Sequence, residues 1–313
     1  MAPVLNPFTS LLISPAELHH ELSSNQKDYR IIPVAAGRSP TLLSFESQHV
    51  PGSMLYASLE YITYQRKSFF NMDLIRDTRS EYPVMLADST HFAKCMTDLG
   101  IRGDDILVIY DTCEIGIYSS PRVAWNFLHF GHQNVHVLNN FPQYIQSGYP
   151  ISTGKMSPSL VYLGPGSYEI PKSINMNEII TFEELQHLLL SNEGRNKYQI
   201  LDARPPNQFS GLDHGAYASL RAGHMPGALN IPLTSMLDAN KVLLPTSELK
   251  KIFANAGVKG DLPAVMTCNS GVTASALILA LHICGYDIET RLYDGSWMEW
   301  AIRAKDDGLI VTN

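Results

Sequence analysis

The sequence predicts an α/β protein made of two tandem halves, each a mainly parallel sheet flanked by helices. Three observations lead there. Short apolar strands alternate with helical stretches along the chain, the pattern of a parallel sheet with crossover helices. Elements then recur in one order. His49-Val50-Pro51-Gly52 is answered by His224-Met225-Pro226-Gly227, and Ile106 to Asp111 by Ala264 to Cys268. Gly116-Ile117-Tyr118 is answered by Gly271-Val272-Thr273, and Val137 to Asn140 by Leu292 to Gly295. Recurrence of this kind means a duplicated fold. Finally, 313 residues are enough for two domains, at ~150 residues each.

Each element has a local reason. Ser14-Pro15-Ala16-Glu17 reads as a capping box with proline in the first helical turn, so the first half starts near residue 10. Ile31-Ile32 and Ile106 to Asp111 read as strands, and His91 to Leu99 as a helix. Residues 151–177 are rich in Ser, Pro, Gly and Lys without a sustained period, which is a linker composition. The expected boundaries are therefore 10–150, a linker over 151–177, and 178–313. The second half opens on another capping box, Thr181-Phe182-Glu183-Glu184, ahead of a helix from Leu185 to Leu190. Gln199-Ile200-Leu201 and Ala264-Val265-Met266 are its strands.

Composition narrows the function. A hydrophobic fraction of 45% and a charged fraction of 17% are those of a globular protein. The net charge is -7 and the basic residues do not cluster, which disfavours nucleic acid and anionic membrane surfaces as partners. No apolar run reaches ~18 residues, so no membrane span is expected. Cys95, Cys113, Cys268 and Cys284 are scattered, with neither CxxC nor zinc-type spacing. His19 and His20 are adjacent on a helix and do not face one ligand. No metal or organic cofactor is implied. Met1 to Gln26 lacks Arg and Lys, unlike a secretory or mitochondrial leader. The expected location is the cytoplasm, with mitochondria the second choice.

The chemistry concentrates at Cys268-Asn269-Ser270-Gly271-Val272-Thr273, followed by a run from Ala274 to Leu281 that is apolar but for Ser275. A cysteine at a strand tip before a short loop and a helix start sits among backbone N–H groups. Such a nest, with the helix N-terminus, stabilises negative charge. A thiolate is such a charge, so the arrangement predicts a nucleophilic sulfur. Gly271 lets the backbone turn, and Thr273 is positioned to cap the helix. A lone cysteine beside an apolar run is otherwise an inert core residue. The polar turn directly after it tips the balance, because a packing cysteine needs no such turn. Ligands of parallel sheets bind beyond the carboxyl ends of strands, which makes the cleft between the halves the expected substrate site.

The two halves, the paired H-x-P-G, the C-x-x-G-V-T-A loop and the closing Tyr293-Asp294-Gly295-Ser296-Trp297-Met298-Glu299-Trp300 together resemble the two-domain rhodanese-type sulfurtransferases. These are the thiosulfate and 3-mercaptopyruvate enzymes. The resemblance covers nearly the whole chain. It implies that Cys268 takes a sulfur from the donor, holds it as a persulfide, and passes it to a thiol or cyanide acceptor, including a thioredoxin-like protein. The loop from Asn269 to Thr273 would cradle the persulfide. The first half would be catalytically silent, since its strand ends in Asp111. Cys113 lies beside Glu114, whose charge works against a thiolate. The neutral Asn269-Ser270 resembles the mercaptopyruvate enzymes, whereas the thiosulfate enzymes carry basic residues there.

The pattern also departs from that family. The arginine that holds the donor carboxylate falls on Gln208, and a second falls near Tyr217, with Arg221 close enough in sequence to substitute. The family's Asp and His, which serve the loop serine, fall on Leu59 and Val84. His91 reads as a helix surface residue rather than a replacement. Asp202-Ala203-Arg204 matches the family's Asp-x-Arg. Arg204 either braces the loop and adds positive potential or forms a structural salt bridge with Asp202. His49 and His224 read as turn residues, and Trp297 and Trp300 as core. A cysteine phosphatase would need C-x5-R, and that position holds Ala274. The rival reading is a divergent, non-catalytic or sulfur-carrier protein that keeps the thiol but has lost the donor site.

Overall fold

The computed structural model describes residues 6–24, 28–38, 42–53, 70–72, 75–112, 116–154, 168–170, 174–191, 194–215, 219–305 and 308–312. Cys113, Glu114, Leu59 and Tyr217 lie outside them. The chain divides into two compact units. The first is Met1–Arg79, Leu86–Ile174 and Ala239–Val242; the second is Ser80–Met85, Asn175–Asp238 and Leu243–Asn313.

In the first unit the order is β1 (Leu12–Ile13), α1 (Pro15–Ser23), β2 (Ile31–Gly37), α2 (Leu42–Ser47), β3 (Phe70–Asn71), α3 (Ser89–Leu99), β4 (Ile106–Asp111), α4 (Ser120–His129), β5 (Val135–Leu138) and α5 (Phe141–Gln146). The strands form one sheet in the order β1-β5-β4-β2-β3, and every pairing is parallel.

The second unit repeats the plan with β6 (Ile179–Ile180), α6 (Phe182–Leu190), α7 (Gly194–Lys197), β7 (Gln199–Asp202), α8 (Pro206–Ser210), β8 (Ala228–Asn230), α9 (Thr246–Ala256), β9 (Ala264–Thr267), α10 (Ala274–Ile283), β10 (Thr290–Tyr293) and α11 (Ser296–Arg303). Its sheet runs β6-β10-β9-β7-β8, again with parallel pairings throughout.

The central strands β4 and β9 are buried along their whole length. Both faces of a parallel sheet are covered by helices, so such strands read as continuous apolar runs. Registers align the halves. Val137 pairs with both Leu12 and Ile109, and Leu292 with both Ile179 and Met266. Two residues beyond Ile109 is Asp111; two beyond Met266 is Cys268. The two side chains thus occupy equivalent positions at the carboxyl ends of the two central strands.

Local signals set the helix starts. Ser14 and Thr181 both close reciprocal capping boxes, with Glu17 and Glu184. The second helix begins at Phe182 rather than Leu185, directly after its cap. The H-x-P-G motifs are turn structures. His49 stacks on Phe45 and His224 on Phe209, each ring's Nδ1 bonded to that phenylalanine's carbonyl. Each histidine also pairs its backbone with a residue beyond the last strand, Ser152 or Val311. Trp297 and Trp300 lie in the second core with Leu185, Val265 and Tyr293.

The stretch 151–177 is more than a connector. Ser152 makes its bridge to His49. Tyr168 is buried, its hydroxyl bonded to His132 Nδ1 (2.9 Å) and its N–H to Thr97 Oγ1 (3.0 Å). Composition reports the lack of periodicity here but is silent on such distant partners.

Candidate active site

Cys268 follows β9 directly, and α10 begins at Ala274. The loop between them turns at Gly271, whose φ of 76° would strain a side chain. Among the described residues, no backbone carbonyl takes the N–H of Asn269, Ser270, Val272 or Thr273. These are donors at the start of a helix, where negative charge is stabilised. Thr273 stands at the N-cap, but its backbone is already helical and its side chain makes no capping bond. An N-cap needs extended backbone to turn its hydroxyl back on the first turn. Ser275 fastens the loop instead, its hydroxyl donating to the Gly271 carbonyl.

The loop is held from a second side by α11. Its first N–H groups, on Trp297 and Met298, donate to the carbonyls of Cys268 (2.9 Å) and Asn269 (3.0 Å). The Cys268 N–H donates to Ser296 Oγ (3.2 Å), and that hydroxyl donates to the Tyr293 carbonyl (2.8 Å). Ser296 adopts φ 51°, uncommon for a side-chain-bearing residue. The orphan donors of one helix thereby fix the backbone of the candidate nucleophile. Sequence reasoning singled out the Tyr-Asp-Gly-Ser-Trp run but assigned its tryptophans only to packing, so Ser296 was missed.

Cys268 is 3% exposed. A small polar pocket opens beside it, lined by Asn269, Arg204, Gln208, Arg221 and Trp297 among others. Cys268 itself is not part of that lining. Asn269 Nδ2 donates to Gln208 Oε1 (2.9 Å), so two neutral amides join in the pocket lining. Gly215 makes room for this, since a Cβ there would lie 2.3 Å from Gln208 Nε2.

Arg204 and Asp202 form a buried, bidentate pair, each side chain 1% exposed. The guanidinium also donates to the Gly223 carbonyl and lies 4.0 Å over the Trp297 ring. Its charge is spent within the fold, and it supports the start of α11 through Trp297. Arg221 also lines the pocket. Val84 is buried at φ 52° and offers no proton. His91 is half-buried on α3, with Nε2 3.6 Å from Cys95 Sγ.

The equivalent site of the first unit is filled differently. The buried Asp111 carboxylate accepts from the N–H groups of Tyr118 (2.9 Å), Ser119 (2.7 Å) and Ser120 (2.9 Å), and from Ser120 Oγ (2.6 Å). Burial holds this carboxyl above its ordinary value, and the four donors offset only part of that rise.

Comparison with known proteins adds the following. A family model described as the rhodanese-like domain matches residues 185–303. The yeast (Saccharomyces cerevisiae) "Thiosulfate sulfurtransferase TUM1" is 33% identical over 94% of this chain and 95% of its own. The mouse "3-mercaptopyruvate sulfurtransferase" is 33% identical over 85% of this chain and 81% of its own. The cryo-EM structure of the yeast mitochondrial complex I sub-stoichiometric sulfur transferase subunit superposes with a TM-score of 0.80 at 30% identity, covering 97% of this chain and 100% of that one.

Proposed function

The chain belongs to the rhodanese family of sulfurtransferases, and from that premise we propose that Cys268 is its sulfur-carrying residue and 3-mercaptopyruvate its preferred donor. The observation that carries this is the loop itself. A thiol stands at the end of β9, where the N–H groups of Asn269, Ser270, Val272 and Thr273 have no backbone partner among the described residues and Gly271 makes the turn. The outer sulfur of a persulfide, like the resting thiolate, carries a negative charge that such donors stabilise.

The Cys268 thiolate attacks the donor sulfur. The C–S bond breaks, its electron pair passes to the pyruvate enolate, and the enolate takes a proton. Val84 supplies none, so the proton comes from water or another group. An acceptor thiolate, or cyanide, then attacks the outer sulfur, and the S–S electron pair returns to Cys268. A thioredoxin-like protein suits this second step because it presents a low-pKa thiol.

The neutral Asn269-Ser270 supports 3-mercaptopyruvate over thiosulfate, whose dianion calls for cations. These two similar proteins carry both names at equal identity, so the support for this preference comes from the neutral loop. As to location, no helix among the described residues is long and apolar enough to cross a membrane. The mitochondrial neighbour supports the mitochondrial option beside the cytoplasmic one.

Intact mass after incubation with 3-mercaptopyruvate tests the reading. A gain of one sulfur, absent in Cys268→Ser, is expected. A loaded Cys268→Ser protein would overturn it. Loading only from a partner protein would make this a sulfur carrier, and faster loading from thiosulfate would reverse the donor preference.

A further inference from the structure

His136 on β5 and Arg291 on β10 hold equivalent places in the two units. His136 pairs with Val108 on β4, and Arg291 with Val265 on β9. The residues after them, Val137 and Leu292, pair with Leu12 on β1 and Ile179 on β6, the edge strands. Each side chain holds the stretch that leads into that edge. Arg291 donates to the carbonyls of Asn177 (2.9 Å) and Ile179 (2.6 Å). His136 Nδ1 bonds the Ser10 carbonyl (2.7 Å). An arginine keeps its charge at any ordinary pH, whereas a histidine titrates near neutrality.

Fixed partners determine where the His136 protons sit. A carbonyl only accepts, so Nδ1 carries a hydrogen. Nε2 lies 3.0 Å from Asn6 Nδ2. The Phe8 N–H orients that amide by donating to Asn6 Oδ1 (3.0 Å), and Nδ2 also donates to Asn134 Oδ1 (3.2 Å). Nε2 must therefore accept, which only the neutral ring can do. A proton on Nε2 would set N–H against N–H. Turning the Asn6 amide over would relieve that clash but set its NH2 against the Phe8 N–H. Phe8 ties the segment to the core. It is 6% exposed, meets the His136 ring edge-on at 4.9 Å, and shares a cluster with Ile13, Leu18 and Tyr144.

The charged group that acts on the ring is Glu17 on α1, itself engaged by the Ser14 N–H and hydroxyl. His20 and Glu21 of the same helix line a surface pocket with Pro7 and Phe8. The β4 partner Val108 and the neighbouring Asn134 are uncharged. Burial holds His136 below its ordinary 6.5, outweighing the Ser10 carbonyl and Glu17, which act the other way.

We infer that residues 6–10 form an acid-released latch on the first unit, opened when His136 takes a proton on Nε2, while Arg291 holds the corresponding stretch of the second unit independently of pH. The latch does not depend on the chemistry at Cys268. Its sign follows from the neutral ring it requires. The latch is fully closed above the ordinary histidine value and weakens as pH falls below it toward the lower value of the closed state. Opening withdraws Phe8 from the core and leaves β1 without its lead-in.

Hydrogen exchange of the full chain, corrected for intrinsic rate, reads the two stretches side by side. Between about pH 7.5 and 5.5, opening of residues 6–13 should rise by up to about tenfold. Residues 175–180 should not respond. Asn6→Asp replaces the opposing donor with an acceptor for a protonated ring, and Asn134 then turns its amide to donate. In that variant, exchange at 6–13 should not rise in acid. Long-range nitrogen–proton correlation spectra should show His136 as the Nδ1–H tautomer near neutral pH. Equal protection of 6–13 at both pH values overturns the inference, as does an Nε2–H tautomer. So does an equal rise at 175–180, which would mark general loosening in acid, or an Asn6→Asp protein that opens in acid as wild type does.

Discussion

The ends of β4 and β9 are the same place in two copies of one fold, and they treat negative charge in opposite ways. At β4 the protein supplies its own anion. Asp111 takes three backbone N–H groups and a hydroxyl, and its carboxylate closes the turn into α4. At β9 the residue in register is a thiol, and the N–H groups of Asn269, Ser270, Val272 and Thr273 donate to no backbone carbonyl among the described residues. One copy is closed by its own carboxyl group, whose oxygens accept from the turn. The other carries a thiol, and under the proposed function the charge of a persulfide would complete it. The lesson is that a strand–turn–helix corner is an anion site by construction, and that one residue decides whether it is structural or reactive.

Three changes test that contrast, the largest first. Asp111→Ala strands buried donors, so it should lower the unfolding free energy by about 3 kcal/mol or more in urea titration at pH 7. Asp111→Asn keeps an acceptor and should lose less. Sulfur loading of Cys268 by the folded fraction should be unchanged in both. Full stability in Asp111→Ala would show that the corner has no need of an anion, and the analogy with Cys268 would break.

Ser296→Ala removes the acceptor of the Cys268 N–H and the donor to Tyr293. The expected cost is about 1 kcal/mol, or about a fivefold slower rate of persulfide formation by stopped-flow. An unchanged rate would mean that the N–H groups of Trp297 and Met298 hold the loop without help.

Mild acid should affect the units unequally. His49, His132 and His136, all in the first unit, are pushed below the ordinary value of 6.5, chiefly because burial penalises the charged ring. A base depressed in the folded state contributes stability above its unfolded pKa and loses it as pH falls toward the folded value. From pH 7 to 5.5, hydrogen exchange corrected for intrinsic rate should therefore speed up in β2 and β4 before β7 and β9. The loss can reach about 1 kcal/mol per histidine. Uniform loss of protection across both sheets would contradict it.

Much of this was legible in the chain because its causes are local. Ser14 with Glu17, and Thr181 with Glu184, are capping boxes whose members are three residues apart, so spacing alone reveals them. Helix-covered parallel strands are apolar without interruption, which exposed β4 and β9. The sulfur's position at a strand end came from the same reasoning. Thr273 misled, because residue type suggests a cap while backbone geometry grants it. Asp111 was noticed only as the absence of a cysteine.

The order of strands and helices, the duplication and the identity of the sulfur-bearing corner were determined by the sequence alone, since each rests on periodicity, short-range bonding or register within a few residues. Tertiary structure decided what surrounds that corner. Ser296 reaches Cys268 across 28 positions, Gln208 reaches Asn269 across 61 and Arg221 reaches Ala301 across 80. Those partners are chosen by how β9, α8 and α11 pack, and no local pattern encodes a hydrogen bond between residues that only the folded sheet brings together.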